Sequence, residues 1–178
     1  MRQLQAVRTP EQVALAKHYE KLDVFKLLAP VLGAGCTAQN LPKTAALFAK
    51  IRGEARPTVD AAKAAWNRQR PYVFDRTLQP AVERPENTSY PSGHSADSAL
   101  YATILRALLP EHAGEWAEQA DHVRWSRIIG GAHYPSDTIA GQLLGEAIAH
   151  EMLKSPALTG AFAEVRAELA SLLLQKAA

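Results

Sequence analysis

The chain has little of what would tie it to a metal cluster, a membrane or a nucleic acid. Its 178 residues include one cysteine. Cys36 alone cannot close an intramolecular disulfide or supply a cysteine-based zinc or iron–sulfur site, so it leaves the redox compartment open. No apolar run approaches the roughly 18 residues of a spanning helix. The most apolar stretch, Ile139 to Leu153, is broken by Gln142, Glu146, His150 and Glu151. The opening residues, MRQLQAVRTPEQ, carry Arg2 but no apolar core, so they do not read as a signal peptide. A cytoplasmic chain and a mature exported one would look alike here. Net charge is only +2, from 20 basic and 18 acidic residues. A dedicated nucleic-acid binder usually shows a much larger basic excess. There is no internal repeat, and no alternating apolar pattern exceeds four residues, which removes the usual strand signal.

What is present is ordinary globular composition, 47% hydrophobic and 21% charged, at a length suited to one domain. Thr9-Pro10-Glu11-Gln12 is a helix start, with Thr9 as N-cap and Pro10 at the first helical position. That helix is expected to reach about Leu28, ahead of Pro30. Residues 31–40 read as a loop. Pro42 opens a helix to about Ile51, stopped by Gly53, and Pro57 opens another towards Pro71. Residues 71–91 hold Pro71, Pro80, Pro85 and Pro91 and show no period. A structureless stretch of that length in a compact domain is usually functional or disordered. Helices then follow from Ser92 to Leu109, about Glu111 to Ile129, Pro135-Ser136 to about Leu153, and Pro156 to about Leu173. The expectation is an all-α fold, a single compact domain of about seven helices over residues 1–178.

The charge is uneven. Lys50 to Arg84 holds eight basic and four acidic residues, a net +4 that leaves −2 for the rest. On charge alone this would be a solvated face. Lys63 and Arg70, however, are seven apart, which on one helix points them the same way two turns along. A guanidinium fork beside an ammonium suits a phosphate. A second constellation is Tyr90-Pro91-Ser92-Gly93-His94 at the start of an apolar helix. Helix N-termini offer free N–H groups to anions, Gly93 permits close backbone approach, and Ser92 can add a hydroxyl. His94 falls in the first turn. The third runs from Ser126-Arg127 through Gly130-Gly131 to His133 and Asp137. An Asp on one ring nitrogen fixes a histidine's tautomer and leaves the other nitrogen as nucleophile or base. His-x-x-x-Asp is also a metal spacing, but the nearby candidates His94 and Asp97 come with too many cations for a cation site. Neither metal nor cofactor is expected. His18, His112, His122 and His150 read as surface residues, Trp66, Trp116 and Trp125 as core or interface anchors, and Tyr72 and Tyr90 as candidates for the substrate mouth.

Taken together, Lys63-x6-Arg70-Pro71, Pro91-Ser92-Gly93-His94 and Ser126-Arg127-x5-His133-x3-Asp137 resemble the tripartite signature of the type 2 phosphatidic acid phosphatase superfamily. The motifs lie in residues 63–137 in the family's order. The likeness is nearest to the bacterial class A non-specific acid phosphatases, through Ser89 to His94, Gly131-Ala132-His133 and Ser155-Pro156-Ala157. Thr88 departs from the Gly many of them carry, and those enzymes usually have a longer N-terminal region with a signal peptide. The resemblance implies an acid phosphatase cleaving small-molecule phosphate monoesters without metal. Lys63, Arg70, Arg127, Ser92 and Gly93 would hold the phosphate, and His133 would attack phosphorus to give a phosphohistidine. Asp137 would orient His133, and His94 would protonate the leaving alkoxide. His133 neutral and His94 charged would give a bell-shaped pH profile on the acid side. The resemblance also implies a periplasmic or secreted protein, with a cytoplasmic one still open, and is compatible with a homodimer. Neither a nucleic-acid partner nor a membrane span is expected. Alternatives are a lipid or polyprenyl phosphate phosphatase of the same superfamily, a vanadate-dependent haloperoxidase, or a helical anion-binding scaffold without turnover.

Overall fold

The computed structural model describes residues 1–177, with side chains described as far as Leu174. Among the described residues there are nine α-helices and no strand. They are α1 (Arg2–Val7), α2 (Pro10–His18), α3 (Phe25–Leu32), α4 (Pro42–Trp66), α5 (Pro71–Phe74), α6 (Gly93–Leu108), α7 (Ala113–Ile129), α8 (Pro135–Leu153) and α9 (Pro156–Ala177), with a 3-10 turn at Pro110–His112. The all-α expectation holds. The capping box at Thr9 forms as read, with the Thr9 hydroxyl accepting from Gln12 N and the Gln12 side chain accepting from Thr9 N.

The helix boundaries differ from the reading in two instructive places. The helix expected over residues 9–28 breaks after His18 and restarts at Phe25. Tyr19, Leu22 and Val24 are all buried, and that spacing cannot share one helical stripe, so the chain leaves the helix to place them in the core. In the opposite direction, Gly53 and Pro57 do not interrupt α4. Leu47, Ile51, Ala55, Val59 and Lys63 recur at every fourth position and are all buried along one face, and that burial outweighs the local breakers. The residue whose carbonyl the Pro57 ring crowds is the one four earlier, Gly53, which stands in open space. The two short helices α1 and α5 have no strong sequence signal.

Two motif-bearing helices, α6 and α8, cross in direct backbone contact. A Cβ on Gly141 would lie 2.3 Å from the Ser92 carbonyl oxygen, and one on Gly145 would lie 2.2 Å from that of Ala96. Ser92 N also donates to the Asp137 carbonyl at 2.9 Å. These glycines let the start of α8 lie against the start of α6. The main core lies further along the same helices, where Leu100, Ile104 and Leu105 pack with Phe48, Leu27, Leu28 and Trp116. Trp116 is the one core anchor of the three tryptophans; Trp66 and Trp125 are 68% and 49% exposed. Gly145→Ala is expected to destabilise the fold by about 1–3 kcal/mol or more through overpacking against α6. Gly160→Ala, at an open site in α9, is expected to be neutral or to stabilise by up to about 1 kcal/mol. Denaturant midpoints of the two variants check this.

Candidate active site

All three constellations meet at a cleft of about 120 Å³ that includes Lys63, Arg70, Gly93, His94, Arg127 and His133 in its walls. Lys63 and Arg70 do not get there by sharing a helix face. Asn67, with φ 42°, ends α4 in a left-handed turn, and Arg70 is the residue before α5. Lys63 reaches in from the last turn of α4 and donates to the Thr88 and Pro91 carbonyls, each at 2.7 Å. Arg70 donates to the Asn87 carbonyl (2.8 Å), Asn87 Oδ1 (2.6 Å) and the Ala132 carbonyl (3.0 Å). These two cations thus organise the loop over residues 75–92, which has no regular structure to satisfy its own carbonyls.

Arg127 is different. It is 2% exposed, and its Nε and Nη1 have no hydrogen-bond partner. Burial lowers its pKa to about 10, with Arg70 acting in the same direction. A buried guanidinium with N–H groups unmatched costs free energy that an anion would recover. Lys63 is lowered to about 8, by burial first and by Arg70 second.

His133 is 2% exposed, with its Nδ1 3.4 Å from Asp137 Oδ2 and its Nε2 3.1 Å from Arg70 Nη1. Since Arg70 can only donate, Nε2 carries the lone pair and Nδ1 the proton, which points to Asp137. Asp137 is fully buried behind the ring. It accepts from Ser89 Oγ (2.5 Å), Tyr134 N (2.9 Å) and Arg68 Nη1 (2.8 Å). Burial would raise its pKa, but the bonds from His133, Ser89 and Tyr134 outweigh it, and the carboxyl stays below its usual range.

Ser92 is the N-cap of α6. Its Oγ accepts from Ser95 N and Ser95 Oγ, leaving its own proton to donate. Ser92 is fully buried, and the next residue, Gly93, lines the cleft. His94 Nε2 lies 3.0 Å from the Glu20 carbonyl oxygen. A carbonyl only accepts, so Nε2 carries the proton and Nδ1 is the nitrogen left for a ligand. The protein's own groups do not set up the expected opposition in charge between the two histidines. Burial first, and the surrounding arginines besides, lower both to about 3.

Arg68, Asn87 and Glu20 have no role in the sequence reading, and Ser89 enters it only as the first residue of the run to His94. Arg68 and Ser89 hold Asp137, Asn87 holds Arg70, and Glu20 meets His94 through its backbone and Glu83 N through its carboxylate. No side-chain pattern marks a residue that acts through its carbonyl. Tyr72 is turned to the Pro85 carbonyl, and Tyr90 packs on the exposed Trp66 ring. Among the described residues, no group of three or more His, Cys, Asp or Glu side chains could hold a metal ion.

Three buried cations and two histidines thus meet beside the N-terminus of α6, where positive charge and free N–H groups suit an oxyanion. Residues 43–159 match the PAP2 superfamily, and the chain belongs to that superfamily. It is 33% identical over 153 residues to a non-specific acid phosphatase of Salmonella typhimurium, a match covering 83% of this chain and 61% of that one. It is 33% identical over 125 residues to an acid phosphatase of Zymomonas mobilis, covering 68% and 47%. The chain thus spans about three-fifths of the Salmonella relative. The crystal structure of a transmembrane PAP2 type phosphatidylglycerolphosphate phosphatase from Bacillus subtilis shares the fold, with a TM-score of 0.60 at 23% identity over 84% of this chain and 79% of that one. Here, among the described residues, no helix is long and apolar enough to cross a membrane.

The unmatched Arg127 groups give a direct test. Inorganic phosphate at about 100 times its Kd should stabilise the protein by about 2.7 kcal/mol. Arg127→Leu should lose that gain, yet be equally or more stable than the parent without phosphate, because a buried unpaired charge has been removed. Thermal denaturation of both proteins, with and without phosphate, measures each arm.

Proposed function

We propose that the protein is a metal-independent acid phosphatase that hydrolyses phosphate monoesters through a phosphohistidine on His133. The observation that carries this reading is the buried Arg127 with two unmatched nitrogens, sharing a cleft with Lys63, Arg70 and the lone pair of His133 Nε2. A phosphate there would meet three cations, the Gly93 N–H and the Ser92 hydroxyl, an arrangement suited to charge spreading over a transferred phosphoryl. His133 Nε2 attacks phosphorus, the ester P–O bond breaks, and its electron pair goes to the leaving oxygen, which takes a proton from His94. Water activated by His94 then attacks the phosphohistidine and releases phosphate. Asp137 holds the Nδ1 proton and balances the positive imidazole. By likeness to the acid phosphatases, the setting is the periplasm or the medium. Lipid or polyprenyl phosphates present the same headgroup, and comparing a micellar lipid phosphate with a soluble ester separates the two.

Because burial and the neighbouring arginines lower both histidines to about 3, His94 takes its proton from the substrate monoanion. The second ionisation of a phosphate ester lies at about 6. We therefore expect kcat/KM to be flat from about pH 4 to 6 and to fall about tenfold per unit above that. It should steepen as Lys63 loses its charge through about 8. An acid limb near pH 6 to 7 would instead place the titration of a solvated His133 there. His133→Ala should lose on the order of 10⁴-fold in kcat, and rapid quench with ³²P-labelled ester should trap acid-labile label on the parent alone. EDTA should leave the rate intact and vanadate should inhibit. His94→Ala should hurt alkyl phosphates far more than nitrophenyl phosphate; equal losses would remove its acid role.

A further inference from the structure

Residues 1–8 take no part in the proposed chemistry, yet they are attached to the segments that frame it. Helix α1 has no buried residue, and Val7 is 72% exposed. Its 6 residues are too few to stay helical in water by themselves, where about 12–15 are already marginal. Its support is polar. Among the described residues, every side-chain hydrogen bond of residues 1–8 goes to residues 75–79 or to Ile129. Arg2 pairs with Asp75 at 2.6 Å. Gln5 donates to the Thr77 carbonyl and accepts from Gln79 N. Arg8 donates to the Gln79 carbonyl at 2.7 Å and to the Ile129 carbonyl at 3.2 Å.

Gln79 and Ile129 stand at the outer ends of two segments that lie side by side. Ala81 N donates to the Gly130 carbonyl at 3.0 Å. A Cβ on Gly131, whose φ is 76°, would stand 3.3 Å from Pro80 Cα, and one on Gly130 would stand 3.0 Å from the Val82 side chain. Val82 and Ala132 are buried together with Ala16 of α2. One segment begins the loop over residues 75–92, whose later carbonyls hold Lys63 and Arg70. The other is the turn from Arg127 to His133, closed by Ala132 N and His133 N donating to the Arg127 carbonyl. The Ala132 carbonyl in turn accepts from Arg70. Arg8 spans this seam with one guanidinium fork, and it does not itself line the cleft.

We infer that Arg8 is a positioning residue for the phosphate site. It fixes the loop over residues 75–92 against the turn that carries Arg127 and His133. The segment over residues 1–8 thereby tightens phosphate binding without touching the ligand. This rests on the oxyanion reading of the cleft. The coupling is reciprocal. A phosphate that joins Arg127 to Lys63 and Arg70 draws the same two segments together, and so favours the state in which α1 is bonded to them.

The test is the affinity for inorganic phosphate, measured by calorimetry on the intact chain and on Arg8→Gln. The variant has no fork to span the seam and should bind phosphate at least about fivefold more weakly, the low end of couplings between sites. A low, non-denaturing concentration of guanidinium chloride should restore part of that affinity, and sodium chloride at the same concentration should not. A role confined to stabilising the fold gives the reverse, because guanidinium weakens the folded state. Hydrogen exchange adds a measurement on the parent alone. Phosphate should slow exchange of the Arg8 amide, which donates to the Leu4 carbonyl at the end of α1. Equal phosphate affinity in the parent and Arg8→Gln overturns the inference. So does a loss that guanidinium deepens, or an Arg8 amide indifferent to phosphate. Failure of the oxyanion reading would look different: no phosphate binding to the parent at all, which would overturn both.

Discussion

The constraint on which this structure depends is the burial of like charge. Lys63, Arg70 and Arg127 are each at most 6% exposed and face one cleft. Out of water, each has lost hydration, and each repels the others more strongly than it would at the surface. The fold offsets this unevenly. Lys63 is matched by two main-chain carbonyls, and Arg70 by two more and a side-chain amide. Arg127 is left with two nitrogens unmatched. At about 1–3 kcal/mol for an unmatched buried group, this is a large fraction of the roughly 5–15 kcal/mol by which a domain is stable. The deficit sits at one point, where an anion would remove it.

The remaining architecture serves to bring those charges together and keep them dry. Helices α6 and α8 can touch only because Gly141 and Gly145 carry no side chain. Their contact places Asp137 beside Ser92 and hence His133 beside Gly93. The loop over residues 75–92 closes the cleft with its carbonyls turned inward to Lys63 and Arg70, so the cations and the loop order one another. The turn between α2 and α3 adds the Glu20 carbonyl above His94. The walls of the cleft are therefore assembled from separate segments, whose carbonyls hold Lys63, Arg70 and His94 in place.

The sequence made the class of fold and the principal residues legible because both have local signatures. Apolar periodicity marks the long helices, and the fixed internal spacings mark Lys63, Arg70, Ser92, Gly93, His94, Arg127, His133 and Asp137. It was less informative where burial over a distance decides the outcome. Gly53 and Pro57 are stop signals in isolation, yet α4 continues through them because its buried stripe is unbroken. Tyr19, Leu22 and Val24 break a helix that its capping and periodicity would have carried on. Lys63 and Arg70 were paired by a correct spacing and an incorrect geometry, since Asn67 turns the chain between them. Arg52, Arg56 and Arg68 looked like members of one basic run. Only the structure separates Arg68, which steadies Asp137, from Arg52, which pairs with Asp97, and from Arg56, which lies over Gly93.

The protonation of the two histidines shows why a residue's role cannot be assigned apart from its ligand. Burial, together with the cations that would hold a phosphate, pushes His94 and His133 towards neutrality. For His133 this is the state that the proposed attack on phosphorus needs, and Asp137 lies where it would balance the resulting charge. For His94 it is the wrong state for an acid. A phosphate that brings two negative charges and one proton reverses the local field, and the proton can then reside on the His94 Nδ1 that Glu20 leaves free. In the proposed reaction the substrate thus supplies both the charge that completes the fold's electrostatics and the proton that departs with its own leaving group.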